Sequence, residues 1–214
     1  MQSSVDSDRN NTKNKDAMPN AASSKFLAKS TPKSSKNIQS GKKLSPLAQP
    51  SMILDRVYVS SKTAAYHQNT IENLKITHII SIHEDAKPAF EISLGVKYLI
   101  FTDIDDKPEE SEKLRNVIEI TNEFLHDALT RNSENKVLVH CNAGASRSVT
   151  VLAFYLMTIG AFGDDSESVL SEIKKKRFQA CPNPGFRKIL TDYENSESLR
   201  RERNKLGLRK FENL

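Results

Sequence analysis

Residues 136–159 read KVLVHCNAGASRSVTVLAFYLMTI, and this stretch decides the fold. It opens with a short apolar run, Lys136–His140, of the kind that is buried in the centre of a sheet. Its second half, Ser148–Ile159, is apolar on nearly every side, which predicts a helix buried in the core. A buried strand that passes through a short loop into a buried helix is a building unit of α/β folds.

On either side of this stretch, the chain alternates between runs typical of strands and runs typical of helices. Apolar, β-branched runs predict further strands at Met52–Ser60, Thr77–His83 and Val96–Phe101. Apolar residues at helical spacing predict further helices over Thr63–Lys75, Ser111–Arg131, Ser166–Arg177 and Gly185–Arg203. We therefore expect an α/β domain with a central, mostly parallel sheet that is flanked by helices on both faces.

Residues 1–50 differ from the rest of the chain in composition. They hold ten Ser, eight Lys and four Pro, with few apolar residues and no periodicity. Such a segment cannot bury enough apolar surface to offset the entropy that it would lose on ordering. We expect residues 1–50 to be a disordered N-terminal tail. Residues 51–214 should form one folded domain, with a core at about 51–195 and a C-terminal helix that runs to the end.

The net charge of +5 is concentrated in this predicted tail. Residues 1–50 carry nine basic and three acidic side chains, whereas the other 164 residues carry 23 basic and 24 acidic ones. A nearly neutral folded part is not typical of nucleic-acid-binding domains, so we expect no nucleic-acid partner. No run approaches the roughly eighteen consecutive apolar residues of a membrane span, so we expect no membrane partner.

The cysteine count also narrows the possibilities. Two Cys in 214 residues exclude a disulfide scaffold and a metal site built from four thiolates. So few thiols indicate a reducing compartment, and we expect the chain in the cytoplasm, the nucleus or both. The histidines outside residues 136–159 (His67, His78, His83 and His126) show no metal-ligand spacing. We therefore expect no metal and no cofactor.

The loop after the buried strand has the pattern His-Cys-x-x-Gly-x-x-Arg, from His140 to Arg147. Backbone N–H groups in such a loop, together with the start of the next helix, form a cradle for an anion. Gly144 permits the tight turn, and the planar fork of Arg147 matches two phosphate oxygens. Cys141 at the bottom of this positive cradle is favoured as a nucleophilic thiolate. The predicted phosphate-binding residues are Asn142, Ala143, Gly144, Ala145, Ser146 and Arg147.

A lone cysteine at the end of a strand is usually an inert buried thiol, so the spacing of the whole motif matters. Cysteine, glycine and arginine occur here together, in the strand–loop–helix context that phosphate chemistry requires. That combination favours a catalytic Cys141 over a merely structural one.

Four segments outside the loop extend the pattern: Asp55–Ser60, Leu74–Ile80, Gly95–Leu99 and Pro182–Phe186. Together with the loop motif, they resemble the cysteine-dependent dual-specificity protein phosphatases, in the small atypical group. The resemblance covers about residues 51–195, which is nearly all of the predicted folded part. It implies a phosphatase-like fold and a catalytic domain over residues 51–214.

The resemblance also implies a role for each residue of the site. Cys141 attacks the phosphorus and forms a phosphocysteine, and Arg147 stabilises the charge of the transition state. Ser148 helps the thiolate to leave. His140 hydrogen-bonds around the loop and tunes Cys141, with a packed, structural histidine as the alternative. Asn183, in the helix-start motif, supports the site from outside the loop.

The general acid must come from the loop that follows Val96–Phe101, where the candidates are Asp103, Asp105 and Asp106. Alternation along this segment does not select one of them. The resemblance implies Asp105, with Glu110 as the acidic residue that follows it. On this interpretation Asp103 is a structural acid, and Asp106 is a solvated neighbour.

Loop composition bears on the substrate. The variable loop positions carry no charge, which disfavours inositol lipids, and the nearly neutral folded part disfavours RNA ends. The family expectation is hydrolysis of phosphotyrosine and phosphoserine/threonine on proteins, with a MAP kinase as one candidate partner. The alternatives are a catalytically weak module that binds phosphoproteins, and a phosphatase that acts on a non-protein phosphate ester.

Two further features have competing interpretations. Cys181 is interpreted as an incidental loop cysteine, with a redox partnership to Cys141 as the alternative. The basic run Lys174–Arg177 ends a predicted helix, where cations suit the helix dipole, and a docking role is the alternative.

Overall fold

The computed structural model describes residues 49–208. The predicted disorder of the tail therefore concerns residues that lie almost entirely outside the described ones, as do the last six residues of the chain. Within the described residues, no helix is both long and apolar enough to cross a membrane.

A five-stranded sheet forms the centre of the fold, with the order β1-β2-β5-β3-β4. The strands are β1 (Ser51–Leu54), β2 (Val57–Ser61), β3 (His78–Ile82), β4 (Lys97–Phe101) and β5 (Val137–Cys141). Strands β2, β5, β3 and β4 are parallel, and β1 pairs with β2 in the antiparallel direction at one edge. The predicted α/β class with a mostly parallel sheet is confirmed.

Helices cover both faces of the sheet. They are α1 (Lys62–Ala65), α2 (Gln68–Leu74), α3 (Glu91–Leu94), α4 (Ser111–Asn116), α5 (Ile118–Arg131), α6 (Arg147–Thr158), α7 (Ser166–Lys176), α8 (Pro184–Tyr193) and α9 (Glu197–Lys205). Alternate strand residues point to opposite faces, so Val139 and Leu138 belong to two separate hydrophobic clusters. The cluster of Val139 includes residues of α4–α9, and that of Leu138 includes residues of α1–α3.

Strand β5 is the most enclosed element of the sheet. All its residues are buried, and Val139 lies opposite Val59 of β2 and Ile80 of β3. Every residue of α6 is buried as well, as the all-round apolar pattern predicts. The loop between β5 and α6 thus starts at the carboxyl end of a central strand, the edge where α/β sheets bind their ligands.

Several predicted elements are interrupted. The predicted strand Met52–Ser60 is a hairpin, because Arg56 adopts the left-handed conformation (φ 63°) and turns the chain. The predicted helix Thr63–Lys75 is divided into α1 and α2, and Ser111–Arg131 into α4 and α5. Gly185–Arg203 is divided into α8 and α9 at Asn195, which also has a positive φ of 52°. Helix α3 was not predicted.

Candidate active site

The loop from Asn142 to Ser146 joins β5 to α6 and holds the motif residues close together. Cys141 is the last residue of β5 and Arg147 the first of α6, and both are buried. Gly144 makes the turn with a φ of 68°. A Cβ atom there would overlap the carbonyl of Ser60, so the loop lies directly against the end of β2.

The sulfur of Cys141 has two polar neighbours. The backbone N–H of Gly144 donates to Sγ at 3.3 Å, and Ser148 Oγ lies 3.2 Å from Sγ. Both groups can donate a hydrogen bond to a negatively charged sulfur. The predicted nucleophile and the hydroxyl predicted to help it leave are therefore in contact.

Arg147 connects the loop to the segment that carries the predicted acid. Its Nη1 donates to the carbonyl oxygen of Ile104 at 3.0 Å and lies 3.8 Å from a carboxylate oxygen of Glu84. Its Nε is buried and has no hydrogen-bond partner among residues 49–208. Because a buried N–H is costly without an acceptor, this donor is suited to an oxygen of an incoming phosphate.

His140 lies behind Cys141 and is neutral at physiological pH. Burial lowers the pKa of His140 to about 3, and His83 acts in the same direction. Its Nε2 pairs with Ser81 Oγ at 2.7 Å, and its ring lies edge-on to Tyr66. The side chain thus packs beneath the loop as a neutral imidazole.

The three candidate acids have different surroundings. Asp105 is half-exposed and pairs with Lys107 at 2.8 Å, and this contact is the main cause that lowers the pKa of Asp105. Asp103 is exposed, and the structure gives its carboxylate no hydrogen bond among the described residues. Asp106 accepts hydrogen bonds from the loop residue Ser146 and from Asn183. Asp106 is exposed, as expected of a solvated neighbour, but these two hydrogen bonds also attach it to the loop and to Asn183. The choice of Asp105 as the acid stays a prediction.

Asn183 is the N-cap of α8, and it contacts both the segment that carries the candidate acids and the loop between β5 and α6. Its Oδ1 accepts from the N–H of Phe186 at 3.0 Å and caps the helix, and its Nδ2 donates to Asp106 at 2.9 Å. Its backbone N–H donates to Ser146 Oγ at 3.1 Å. Glu110 instead pairs with Lys113 at 2.8 Å, beside the start of α4.

Glu84 is a site residue that no sequence motif indicated. Both its carboxylate oxygens accept from Asn142 Nδ2, at 3.0 and 3.2 Å. Its own backbone N–H and Asn142 are the main causes that lower the pKa of Glu84. A signal was available, since Glu84 closely follows the carboxyl end of a strand, at the edge where the loop begins.

Arg177 is the second missed residue. Its side chain is 1% exposed, and it donates to the carbonyl oxygens of Gly144, of Ala143 at 3.2 Å and of Val59 at 3.4 Å. Burial lowers the pKa of Arg177, and the charge of Cys141 acts in the opposite direction. The interpretation of the run Lys174–Arg177 as a set of helix-end cations is therefore wrong for Arg177, and no spacing in the sequence sets it apart from its lysine neighbours.

One group near the loop has the composition of a metal site. Ligand atoms of His83, Glu84 and Asp85 lie within 4.8 Å of one another. Asp85 already pairs with Lys62 and with His83, which lower the pKa of Asp85 to about 2. Glu84 is likewise bound to Asn142. Because these oxygens have protein partners, we assign no metal to the group.

Comparison with known proteins identifies relatives over most of the chain. The family model for the dual specificity phosphatase catalytic domain matches residues 57–196. Dual specificity protein phosphatase 22 of Homo sapiens is 35% identical over 145 residues, or 68% of this chain and 73% of that protein. Dual specificity protein phosphatase 15 of Mus musculus is 37% identical over 152 residues, or 70% of this chain and 60% of that protein.

Solved structures give the same result. A crystal structure of DUSP15 matches with a TM-score of 0.66 and 32% identity, over 76% of this chain and 97% of that one. The human tyrosine phosphatase-like serine/threonine/tyrosine-interacting protein matches with a TM-score of 0.61 and 32% identity, over 69% of this chain and 97% of that one. The family match contains strands β2–β5 and the whole loop motif. The chain therefore belongs to the dual specificity phosphatase family, as the resemblance predicted.

Proposed function

We propose that this chain hydrolyses phosphotyrosine and phosphoserine/threonine on proteins through a phosphocysteine formed on Cys141. The observation that carries the proposal is the environment of the sulfur. Sγ accepts a hydrogen bond from the N–H of Gly144 and lies 3.2 Å from the hydroxyl of Ser148. Arg147, six residues further on, retains a buried Nε–H that has no partner among residues 49–208. This arrangement places a nucleophile and donors for phosphate oxygens at one site.

In the first step the thiolate attacks phosphorus, and the bond from phosphorus to the oxygen of the substrate side chain breaks. Arg147 and the N–H groups of the loop hold the other three phosphate oxygens as their charge develops. Asp105 donates its proton to the leaving oxygen, so a neutral tyrosine, serine or threonine departs.

In the second step water attacks the phosphocysteine. Asp105, now a carboxylate, takes a proton from this water, and inorganic phosphate is released. The electrons of the broken S–P bond return to Cys141 as a thiolate. Ser148 Oγ is suited to stabilise that thiolate by donating a hydrogen bond to Sγ.

Phosphorylated proteins are favoured over other phosphate esters because the loop itself offers no extra cation. Its variable positions are Asn142, Ala143, Ala145 and Ser146, and the carboxylate of Glu84, which is bound to Asn142, would repel a second phosphate group. A phosphorylated MAP kinase is our candidate substrate, and the cytoplasm or nucleus our proposed location. Nucleic acid and membranes are not proposed partners.

The test is release of phosphate from two peptides, one with phosphotyrosine and one with phosphothreonine, in the presence of a metal chelator. We expect turnover of both peptides by the unmodified chain and none by Cys141→Ser. Asp105→Asn should lower kcat by about 10²- to 10⁴-fold, the range typical of a lost general acid. Cys181→Ser is the matched control, since it removes the other thiol, and should keep full activity.

Other outcomes would favour the alternatives. A folded chain that binds the phosphopeptides without releasing phosphate would be a binding module. Turnover of a phosphoinositide or of triphosphate RNA, with none of the peptides, would make it a phosphatase of non-protein esters. Activity that survives in Cys141→Ser would contradict the phosphocysteine mechanism.

A further inference from the structure

Asp106 connects three separate segments through one oxygen atom. Its Oδ1 accepts a hydrogen bond from Ser146 Oγ at 2.6 Å and another from Asn183 Nδ2 at 2.9 Å. Ser146 belongs to residues 142–147, from the end of β5 to the first residue of α6, which we term the phosphate loop. Asn183 is the N-cap of α8. Asp106 itself lies beside the proposed acid, on the segment 102–107 that follows β4, which we term the acid loop.

Both partners of Asp106 are held in place by other contacts. Ser146 is 4% exposed, and its hydroxyl also accepts the backbone N–H of Asn183 at 3.1 Å. The Oδ1 of Asn183 is committed to the N–H of Phe186, which leaves its Nδ2 directed at Asp106. The carboxylate of Asp106 therefore accepts hydrogen bonds from two donors, Ser146 Oγ and Asn183 Nδ2, which are positioned by contacts outside the acid loop.

A second contact fixes the acid loop on the other side of Asp105. Ile104 is 2% exposed, and its carbonyl oxygen accepts from Arg147 Nη1 at 3.0 Å. Asp105 thus lies between two residues that are each bound to the phosphate loop, whereas its own side chain is half-exposed and contacts only Lys107 among the described residues.

The continuation of the acid loop is supported as well. A Cβ atom at Gly185 would overlap Pro108, so the start of α8 and the turn Pro108–Glu110 are in direct contact. Residues on both sides of Asp105 therefore rest on the phosphate loop or on α8.

We propose that Asp106 is a positioning residue, whose carboxylate holds the acid loop against the phosphate loop so that Asp105 faces the leaving oxygen of the substrate. This inference rests on the proposed function. A carboxylate beside a phosphate site repels the substrate, and a role in holding the acid loop accounts for its position there. The acid itself remains Asp105 in this proposal, because Asp106 Oδ1 is bound by Ser146 and Asn183, whereas the side chain of Asp105 contacts only Lys107 among the described residues.

The kinetic test compares substrates that differ in their need for a proton. Phenyl phosphate releases a phenolate as basic as that of tyrosine, whereas 2,4-dinitrophenyl phosphate releases one that leaves without a proton. We expect Asp106→Ala to lower kcat/KM for phenyl phosphate by about tenfold or more, a part of what a general acid contributes, and to change kcat/KM for the dinitrophenyl ester by less than about twofold. The ratio kcat/KM is the right measure because it reports only the first step, whereas kcat also contains the hydrolysis of the phosphocysteine, in which Asp105 acts as a base with either ester. Asp106→Asn keeps an oxygen acceptor and should recover most of the activity. Glu109→Ala, at an exposed position in the turn Pro108–Glu110 that follows the acid loop, is the matched control.

A double variant separates positioning from direct proton donation. In the background of Asp105→Asn, the change Asp106→Ala should cause no further loss that depends on the leaving group, because no acid remains to be positioned. An equal loss of kcat/KM with both esters in the single variant would overturn the proposal in favour of general damage to the fold. A persisting dependence on the leaving group in the double variant would overturn it in favour of Asp106 as the acid.

A second measurement tests the contact without using activity. Amide hydrogen exchange over residues 102–107 should be faster in Asp106→Ala than in the unmodified chain, and unchanged in Asp106→Asn and Glu109→Ala. Equal exchange in all four proteins would overturn the proposal. If the unmodified chain releases no phosphate, the proposed function fails, and faster exchange in Asp106→Ala alone would still support the contact that holds the acid loop.

Discussion

Gly144 meets two separate constraints at one position. Its φ of 68° lies in the left-handed region, which costs a residue with a side chain about 1 kcal/mol or more. A Cβ atom there would also overlap the carbonyl of Ser60 and the guanidinium of Arg177. Backbone conformation and space therefore both select glycine at the centre of the phosphate loop.

We predict that Gly144→Ala destabilises the protein by about 1–3 kcal/mol more than Gly95→Ala does, because the added methyl must displace backbone. Gly95 is a matched control, since its φ is 67° and a Cβ there would meet nothing within 4 Å. Urea unfolding of both variants measures the difference. Equal losses would mean that the loop moves away from β2 at no cost.

Single residues of the site could be predicted to different degrees. Cys141, Arg147 and Ser148 follow from the motif, because the loop fixes their spacing over a few residues. Glu84 and Arg177 could not be predicted from the motif, because they lie 57 and 36 residues away from Cys141 in the chain. Contacts of that kind depend on how the helices pack, which no local pattern records.

At the scale of elements, α7 supports the phosphate loop through its last turn. Arg177 directly follows this helix and donates to loop carbonyls, whereas Lys176 donates to the carbonyl of Ile53 in β1 at 2.6 Å. A basic run at a helix end thus contributes two residues to tertiary structure and leaves Lys174 and Lys175 at the surface.

We predict that Arg177→Met lowers the free energy of unfolding by about 2–5 kcal/mol, because several buried carbonyls lose their donor at about 1–3 kcal/mol each. The activity should fall by at least about tenfold, because the phosphate loop loses the hydrogen bonds that Arg177 donates to the carbonyls of Ala143 and Gly144. Lys175→Met is the control, because Lys175 is exposed and pairs only with Glu172 among the described residues. Urea unfolding and kcat toward p-nitrophenyl phosphate provide the measurements, and equal behaviour of the two variants would contradict this role.

The periodicity of apolar residues predicts which elements form better than it predicts where they end. The sheet and the buried helix α6 were predicted, because burial on every side leaves a strong apolar signal. The turn at Arg56 was not, since its guanidinium donates to the carbonyls of Leu129, Asn132 and Asn135, far along the chain. Tertiary hydrogen bonds therefore end β1 where the apolar pattern continues.

At the scale of the whole molecule, the folded part begins before the family match. That match starts at residue 57, yet β1 precedes it and places Ile53 in the core at 0% exposure. The carbonyl of Gln49 and the hydroxyl of Ser51 both accept from Arg177 at 3.4 Å. The first described residues are thus joined to the phosphate loop through Arg177.

We predict that a chain beginning at residue 49 keeps the stability and kcat of the full chain, because the core and the site lie within the remaining residues. A chain beginning at residue 57 should lose at least about 2 kcal/mol, the lower range for removal of one large buried aliphatic side chain. Thermal and urea unfolding measure the difference. Equal stability of the two shortened chains would mean that β1 is dispensable.

The position of Arg177 determines how a force applied at the start of the described residues would reach the active site. A tether attached ahead of Gln49 would apply its tension to two connections at once, the hydrogen bonds of β1 to β2 and the guanidinium of Arg177. The second connection ends on the carbonyls of Ala143 and Gly144, so a single side chain stands between the applied force and the catalytic loop. A force applied ahead of Gln49 would therefore act on the phosphate loop and on the end of α7 together, through Arg177.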